Sequence, residues 1–200
     1  SRTLILDLTH TTDELLAAMT KKTRQYIRKS GRAGLDIKPV KTRQDITACL
    51  EIYRQTAKRA KFALHDDQYY YDIHDKLGEN SQIFAAYEDN HPVSFLWLAT
   101  SPETSFELYG GMNDRGQALR ANYALKWHAI TECKQQGIKR YDMNGLLNDG
   151  VSNFKRGFAS HENKLAGTYD YPMSQSYPVW RHGLPLAKRT IRSIKKLLGK

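Results

Sequence analysis

The chain has 200 residues, of which 40% are hydrophobic and 26% are charged, values that are ordinary for a globular protein. That length is enough for one full hydrophobic core, and the longest apolar run, residues 94–99, is too short to cross a membrane. The two cysteines stand inside predicted helices, which fits buried thiols in a reducing compartment, and the His and Cys residues lack the spacing of a metal site.

The formal net charge of +10 is the strongest signal in the composition. It predicts attraction to polyanions, and tRNA, a diphosphate-linked precursor and the anionic inner face of a membrane are all candidates. The first residues do not include an initiator methionine and lack the apolar stretch of a signal peptide. We therefore expect a cytoplasmic protein, processed or excised from a longer chain, with peripheral contact at the inner face of the plasma membrane.

Strand and helix patterns alternate through the first part of the chain. Residues 4–8 alternate like a strand, and Thr11 forms a capping box with Glu14 that predicts one helix as far as about Arg32. The next predicted elements are a strand at 35–40, a helix capped by Thr42 and a shorter helix that begins at Asp66 or Asp67.

The hydrophobic period then changes to two. The elements predicted from this point are antiparallel strands at 83–87, 93–99 and 105–109, a helix at 118–136, a strand at 138–143, a short helix near Phe154 and a last strand at 165–171. This order predicts an α/β or α+β fold with a mixed, mostly antiparallel central sheet flanked by helices. We expect one domain over residues 1–175 and a basic, helical tail over residues 176–200.

Six basic residues crowd the second half of the first predicted helix, and Arg24, Arg28 and Arg32 share one face at i, i+4 spacing. Like charges stacked in this way repel by about 0.2–0.5 kcal/mol per pair, so an anionic partner would relieve them. Arginine also suits bidentate contact with phosphate. The other interpretation is a solvated helix face near a C-terminus, where cations are favoured anyway.

A lysine among aromatic residues follows a loop rich in Gly and Asn at 144–150. Lys155 lies between Phe154 and Phe158 in the sequence. A partly desolvated cation in such surroundings stabilises negative charge better than it does in water. The other interpretation is a surface lysine that extends past core phenylalanines into solvent. The histidines lack an acidic residue at a useful spacing, so no general base is identified.

The order of these closing elements resembles the end of a GNAT-type acyltransferase domain in the FemABX family. The resemblance rests on the helix at 118–136, the strand after it, the loop at 144–150, the segment Phe154–Phe158 and the segment Gly167-Thr168-Tyr169-Asp170. Members of that family look like tRNA-dependent aminoacyltransferases that build peptidoglycan cross-bridges. The resemblance therefore implies a GNAT-like fold and transfer from aminoacyl-tRNA to the stem-peptide amine of a lipid- or nucleotide-linked muropeptide. It implies no metal or cofactor, because the ester is already activated.

The same resemblance implies roles for single residues. Lys155 is expected to stabilise the oxyanion of the tetrahedral intermediate, with Phe154 packing beside it against the acceptor end of the tRNA. The segment Lys-Thr-Arg-x-x-Ile-Arg-Lys is similar to a basic helix of the family that contacts muropeptide phosphates. It makes Arg24 and Arg28 candidates for substrate binding.

Three consecutive tyrosines follow a basic turn at 58–61. Successive helical positions are about 100° apart, so at least one of Tyr69, Tyr70 and Tyr71 is expected to face a groove or solvent. A basic turn and a tyrosine pair stand at this place in the family, which makes Tyr70 a further substrate-binding candidate. The ordinary alternative for each tyrosine is a packed ring with a wetted hydroxyl.

Two features set the extent of the resemblance. The loop at 110–118 is rich in glycine but lacks the spacing of a coenzyme A pyrophosphate cradle, so acyl-CoA is not expected as the donor. The resemblance covers residues 4–171 and only one of the two GNAT-like domains usual in the family, the second. Two alternatives stay open: a non-catalytic module that binds tRNA or a phosphorylated ligand, and an aminoacyltransferase acting on a phospholipid or a protein N-terminus.

Overall fold

The computed structural model describes residues 2–146, 150–167 and 169–197, with side chains described as far as residue 190. The strands in these residues are β1 (Arg2–Thr3), β2 (Ile5–Asp7), β3 (Asp36–Pro39), β4 (Ser81–Glu88), β5 (His91–Thr100), β6 (Thr104–Met112), β7 (Arg140–Asp142) and β8 (Asn163–Lys164). The α-helices are α1 (Thr12–Ala18), α2 (Lys21–Gly31), α3 (Arg43–Ala60), α4 (Asp67–Leu77), α5 (Asp114–Leu119), α6 (Ala121–Gln135), α7 (Gly150–Arg156) and α8 (Tyr177–Leu197). Residues 1–165 and residues 166–200 form two compact units.

In the described residues, six strands form the central sheet, in the order β2-β7-β6-β5-β4-β3. All neighbours are antiparallel except β6 and β7, which run parallel. A second, two-stranded sheet joins β1 to β8. The mixed, mostly antiparallel sheet that the sequence predicts is therefore confirmed.

The central strands place their side chains alternately in two hydrophobic cores, one on each face of the sheet. In β4, Phe84 and Ala86 belong to the core shared with α1, α2 and α6, whereas Ile83 and Ala85 belong to the core shared with α3 and α4. This division follows from the period of two along a strand. Helices thus cover both faces of the sheet, and both cysteines are buried, as predicted.

Two of the predicted helices are each divided in the structure. The predicted N-caps are confirmed at Thr11, Thr42 and Asp66. The first helix, however, breaks at Met19, whose backbone is extended, and Thr20 caps a new helix by accepting a hydrogen bond from the amide of Thr23. The long helix after β6 breaks at Arg120, which has a left-handed backbone with φ 56°. Neither Pro nor Gly stands at Met19 or Arg120, so the usual helix-breaking residues do not mark these positions in the sequence.

The last predicted strand, over residues 165–171, is wrong for the residues described there. The chain is irregular at 165–167 and 169–171, and the side chains of Tyr169 and Tyr171 are 83% and 87% exposed. An alternating pattern gives a strand only where one face covers a core, and these tyrosines bury little surface. Residues 147–149 of the Gly- and Asn-rich loop and Thr168 of the Gly-Thr-Tyr-Asp segment lie outside the described residues.

The compact unit at 166–200 contains α8, in the region expected to form a basic tail. The first turn of α8 exposes Val179 and Trp180. Of the helices in the described residues, none has the length and apolar character that crossing a membrane requires. The division of the chain at residue 175 stays a prediction.

Gly116 lets α5 lie directly against β5. A Cβ atom at this position would stand 2.1 Å from the carbonyl oxygen of Val93, and a backbone atom cannot move aside as a flexible side chain can. The amide of Gly116 also donates to Oδ1 of Asn113 at 2.8 Å, which fixes the start of α5. Gly116 therefore allows α5 to pack against β5.

We expect Gly116→Ala to lower the free energy of unfolding by about 1–3 kcal/mol, because the new methyl group overpacks the contact between α5 and β5. Gly31→Ala is the matched control, since a Cβ at Gly31 meets no atom within 4 Å. Alanine there favours the helix by up to about 1 kcal/mol. Urea unfolding followed by circular dichroism measures both variants, and equal stabilities would contradict this account of Gly116.

Candidate active site where two strands part

The central sheet opens between its two parallel strands. The paired residues of β6 and β7 are Thr104 with Arg140, Ser105 with Tyr141, and Phe106 with Asp142. β7 ends at this point, while β6 continues to Met112 beside β5. Beyond Phe106, β6 therefore has a free edge among the described residues, and this edge forms one wall of a groove.

The groove encloses about 380 Å³, a volume suited to a small ligand or to one end of a larger one. α3, α6, α7 and the strands β5 and β6 all contribute to it. Its lining includes Tyr53, Arg59, Glu107, Tyr109, Gly110, Gly111, Lys126, Asn144, Phe154 and Lys155. The groove therefore combines an aromatic wall, a strand edge and several charged groups.

A β-bulge at Leu108 places the side chains of Glu107 and Tyr109 on opposite faces of the sheet. Glu107 pairs with Leu98 and Tyr109 pairs with Trp97, so Leu108 is an extra residue in β6. Without the bulge, Glu107 and Tyr109 would point to the same face, because side chains alternate with a period of two. With it, Glu107 meets α6, while Tyr109 packs with the core shared by α3 and α4.

A buried ion pair lies at the point where the strands part. Nζ of Lys126 in α6 donates to both carboxylate oxygens of Glu107, at 2.5 and 2.7 Å. The hydroxyl of Tyr141 in β7 donates to Glu107 Oε1 at 2.8 Å. Glu107 is only 6% exposed and Lys126 only 4%, although both line the groove. Because two charges are costly to desolvate, stability alone is a weak reason for such a pair.

Sequence reasoning did not identify this pair as part of a site, although a signal was present. Lys126 interrupts a run of buried helix positions that includes Leu125, Ala129 and Ile130. Glu107 stands between two apolar residues of a strand. A charged residue inside each buried pattern indicates that it has a partner, since unpaired charges are almost never fully buried.

The structure places Lys155 on the wall of this groove. It lies in α7, is partly buried, and its Nζ donates to the carbonyl oxygen of Gly145 at 3.1 Å. Phe154 also lines the groove, and its ring packs edge-on against Tyr123 and Phe158, with centroids 4.9 and 5.2 Å apart. Lys155 and Phe154, which the sequence analysis selects as site residues, thus both line this groove.

The loop after β7 connects the parted strands to α7. Asn144 has a φ of 65°, a left-handed conformation that asparagine tolerates well. Its Nδ2 donates to the backbone oxygen of Glu107 at 3.0 Å. Since the next residue, Gly145, accepts the bond from Lys155, this loop links β6 to α7 across the groove.

The two arginine candidates have different surroundings, and neither lines the groove described above. Nη1 of Arg24 donates to the carbonyl oxygens of Leu16, Ala17 and Met19, at the end of α1. Arg24 therefore satisfies acceptors that a helix end leaves without a partner inside the helix. Arg28, one turn later in α2, is exposed. Their roles in substrate binding stay predictions.

The expectation that Tyr70 contacts substrate needs a correction. Tyr70 is 3% exposed, and its ring packs edge-on against Tyr53 and Tyr109, with centroids 5.9 and 5.1 Å apart. These two tyrosines line the groove, and Tyr70 lies behind them, where its hydroxyl accepts a hydrogen bond from the amide of His65. Tyr69, at 40% exposed, is the neighbour that faces solvent. Tyr70 therefore supports the groove wall.

Comparison with known proteins, by sequence and by structure, finds similarity to Fem proteins. The FemAB family model matches residues 2–91 and 76–182. Aminoacyltransferase FemB of Staphylococcus epidermidis is 30% identical over an aligned length of 91 residues, and the match covers 42% of this chain and 22% of FemB. The crystal structure of FemX has a TM-score of 0.79 at 17% identity, over 90% of this chain and 63% of that chain. The matches thus span only part of either relative.

A smaller enzyme shares the same architecture. An aminoglycoside N-acetyltransferase from Acinetobacter baumannii has a TM-score of 0.55 at 13% identity, over 70% of this chain and 100% of that chain. At such identities the likeness shows the fold alone. It confirms the acyltransferase-like fold that the sequence predicts.

Burial raises the pKa of Tyr141 well above its ordinary value, and the neighbouring Glu107 carboxylate raises this pKa further. A tyrosine in the unfolded chain loses its proton at a pH of about 10. As the pH rises past this value, the unfolded state loses the proton while the folded state keeps it. The free energy of unfolding therefore falls with rising pH in this range, and the contribution of Tyr141 is fully present only at lower pH.

We expect Tyr141→Phe to lower the free energy of unfolding at neutral pH by about 1–3 kcal/mol, because the buried Glu107 loses a hydrogen-bond donor. The fall in stability above a pH of about 10 should also become shallower, since phenylalanine has no proton to lose. Urea unfolding at a series of pH values measures both effects. Tyr171→Phe, on an exposed side chain, is the control at neutral pH. An unchanged alkaline slope would contradict the assignment to Tyr141.

Proposed function

The chain belongs to the FemAB family, and from this premise we propose that it carries the transfer site of a tRNA-dependent aminoacyltransferase. The enzyme would add an amino acid to the stem-peptide amine of a peptidoglycan precursor, forming an interpeptide bridge. The observation that carries this proposal is Lys155 beside Phe154 on the wall of the groove. The name of the relative FemB, an aminoacyltransferase, supports it. Because the chain spans part of these relatives, the proposal concerns the complete gene product.

In the proposed reaction, the amine nitrogen of the acceptor attacks the carbonyl carbon of the ester that joins the amino acid to the tRNA ribose. The new C–N bond forms, and the carbonyl oxygen becomes an oxyanion. Collapse of this intermediate breaks the C–O bond to the ribose, and the proton lost by the amine ends on the departing ribose oxygen. The ester supplies the driving force, so the scheme uses no cofactor.

Lys155 supplies positive charge where the oxyanion develops. Its ammonium lies on a partly buried wall, where electrostatic attraction is stronger than in bulk water. One well-placed donor of this kind is worth about 10²–10³ in rate. Phe154 presents a ring beside it, against which the terminal base of the acceptor end can stack.

The free edge of β6 and the net charge both fit the acceptor end of a tRNA. In the described residues, no strand pairs with this side of β6 beyond Phe106, so an extended ligand can approach its backbone there. The net charge of +10 attracts a phosphodiester chain. It would also hold a cytoplasmic protein near an anionic inner leaflet, where a lipid-linked precursor resides.

The domain assignment is part of the same proposal. We assign residues 1–175 to the second GNAT-like domain of the family and residues 176–200 to a basic tail. The fold shared with FemX over 90% of this chain supports that reading of the larger part.

We expect Lys155→Ala in the complete gene product to lower the transfer rate by about 10²–10³, because the oxyanion loses its cation. Lys139→Ala is the matched control, since it removes the same charge from an exposed lysine that pairs with Glu103. Single-turnover transfer from charged tRNA to a nucleotide-linked muropeptide measures the rate. Full transfer by Lys155→Ala would remove Lys155 from the mechanism.

The same assay separates the competing functions when it is run with three acceptors. Transfer to a phospholipid or to a protein N-terminus, with none to the muropeptide, would replace the proposed acceptor class. A gel shift with uncharged tRNA, together with no transfer to any acceptor, would favour a non-catalytic binding module.

We expect Arg28→Ala to weaken binding of the nucleotide-linked precursor by about tenfold, because one charge-assisted contact to phosphate is lost. The free energy of unfolding of the Arg28→Ala variant should not change, since Arg28 is exposed. Arg24→Ala is the comparison variant, and it should lower the free energy of unfolding by about 1–3 kcal/mol, because the carbonyls at the end of α1 lose a donor. Titration calorimetry and urea unfolding measure the two quantities. Precursor binding by Arg28→Ala at the wild-type affinity would remove Arg28 from the site.

A further inference from the structure

Lys126 connects a strand and a helix beneath the proposed reaction site. Its Nζ lies 2.5 and 2.7 Å from the two carboxylate oxygens of Glu107 in β6. The same atom is 5.2 Å from the ring centroid of Phe154 in α7 and 5.8 Å from that of Phe158, just beyond α7. One ammonium therefore contacts a side chain of β6 and a side chain of α7, the helix that carries Lys155.

The burial of this ammonium indicates a role beyond stability. Replacing a buried ion pair by apolar residues of similar volume is often neutral or stabilising, so stability alone does not require the pair. A cation within about 6 Å of a ring centroid is attracted by the ring, and more strongly when water is excluded. The attraction between the Lys126 ammonium and the Phe154 ring therefore favours the position in which the ring lies next to that ammonium.

The position of Phe154 in turn sets the position of Lys155. The two are consecutive in α7, a helix of only 7 residues. On the other side, Lys155 donates to Gly145, and the neighbouring Asn144 donates to the backbone of Glu107. Glu107 is thus linked to α7 in two ways. Its carboxylate binds Lys126, which contacts Phe154. Its carbonyl oxygen accepts a hydrogen bond from Asn144, which is next to the Gly145 that binds Lys155.

We propose that Lys126 is a positioning residue whose ammonium, anchored on Glu107, holds Phe154 and thereby orients Lys155 toward the groove. Lys126 does not touch the reacting ester in this scheme. The catalytic effect rests on the proposed function. The geometric part, that Lys126 holds α7 in place, can be measured without any substrate.

The test uses a double variant, Glu107→Gln with Lys126→Met, in the complete gene product. Lys126→Met alone leaves a buried carboxylate without its cation and can unfold the protein, whereas the double variant removes both charges and keeps both side-chain lengths. Lys139→Met, on an exposed lysine, is the control. Urea unfolding establishes that each variant is folded. Hydrogen–deuterium exchange of the peptide 150–158 and the separate values of kcat and KM are then measured.

In the double variant, we expect exchange over residues 150–158 to rise about tenfold, while peptides of β4 and β5 keep the wild-type rate. We expect kcat to fall by about tenfold to a hundredfold, because a displacement of about 1 Å at the reacting groups is enough for such a loss. KM for charged tRNA should stay within about twofold, since the groove lining is otherwise intact. Lys139→Met should match the wild type in every measurement.

Wild-type exchange over 150–158 in the double variant would overturn the proposal, whatever its transfer rate. A wild-type kcat in the double variant would also overturn it. If the wild-type protein itself transfers no amino acid, the proposed function fails. A rise in exchange confined to 150–158 would then still support Lys126 as the residue that holds α7.

Discussion

β6 and β7 separate after three residue pairs, and the Glu107–Lys126 ion pair lies on the inner side of the gap. The rest of the site depends on this arrangement. A sheet that opens next to its own core leaves backbone groups and charged side chains that need partners. The Tyr141 hydroxyl and the Lys126 ammonium satisfy the carboxylate, and Asn144 satisfies the carbonyl of the same residue. The groove persists because one residue, Glu107, is bonded from α6, from β7 and from the loop after β7.

Signals that act over a few residues were sufficient to predict most of the elements. Thr11, Thr42 and Asp66 each accept a hydrogen bond from an amide three positions later, so their effect is visible in the sequence. β4 and β5 are recognisable as short apolar runs because both of their faces are buried. Lys155 beside Phe154 was also predictable as a pair, because both belong to one short segment.

The groove and its ion pair could not be predicted, because they depend on residues that are distant in the sequence. Glu107 and Lys126 belong to different elements, and the neighbours of each residue do not identify the other. The internal partners of Tyr70 and Arg24 were equally invisible, because tertiary packing supplies them. The tyrosines of the groove wall surround Tyr70, and the break between α1 and α2 places helix-end carbonyls within reach of Arg24.

The free edge of β6 has a mechanical consequence. The outer strands β2 and β7 join the other four strands of the central sheet through three residue pairs, at Thr104, Ser105 and Phe106. A ligand laid along the rest of that edge would occupy the place of the absent strand segment and bridge the gap with its own hydrogen bonds. A bound ligand, rather than a further strand, would then join the two parts of the central sheet on this side.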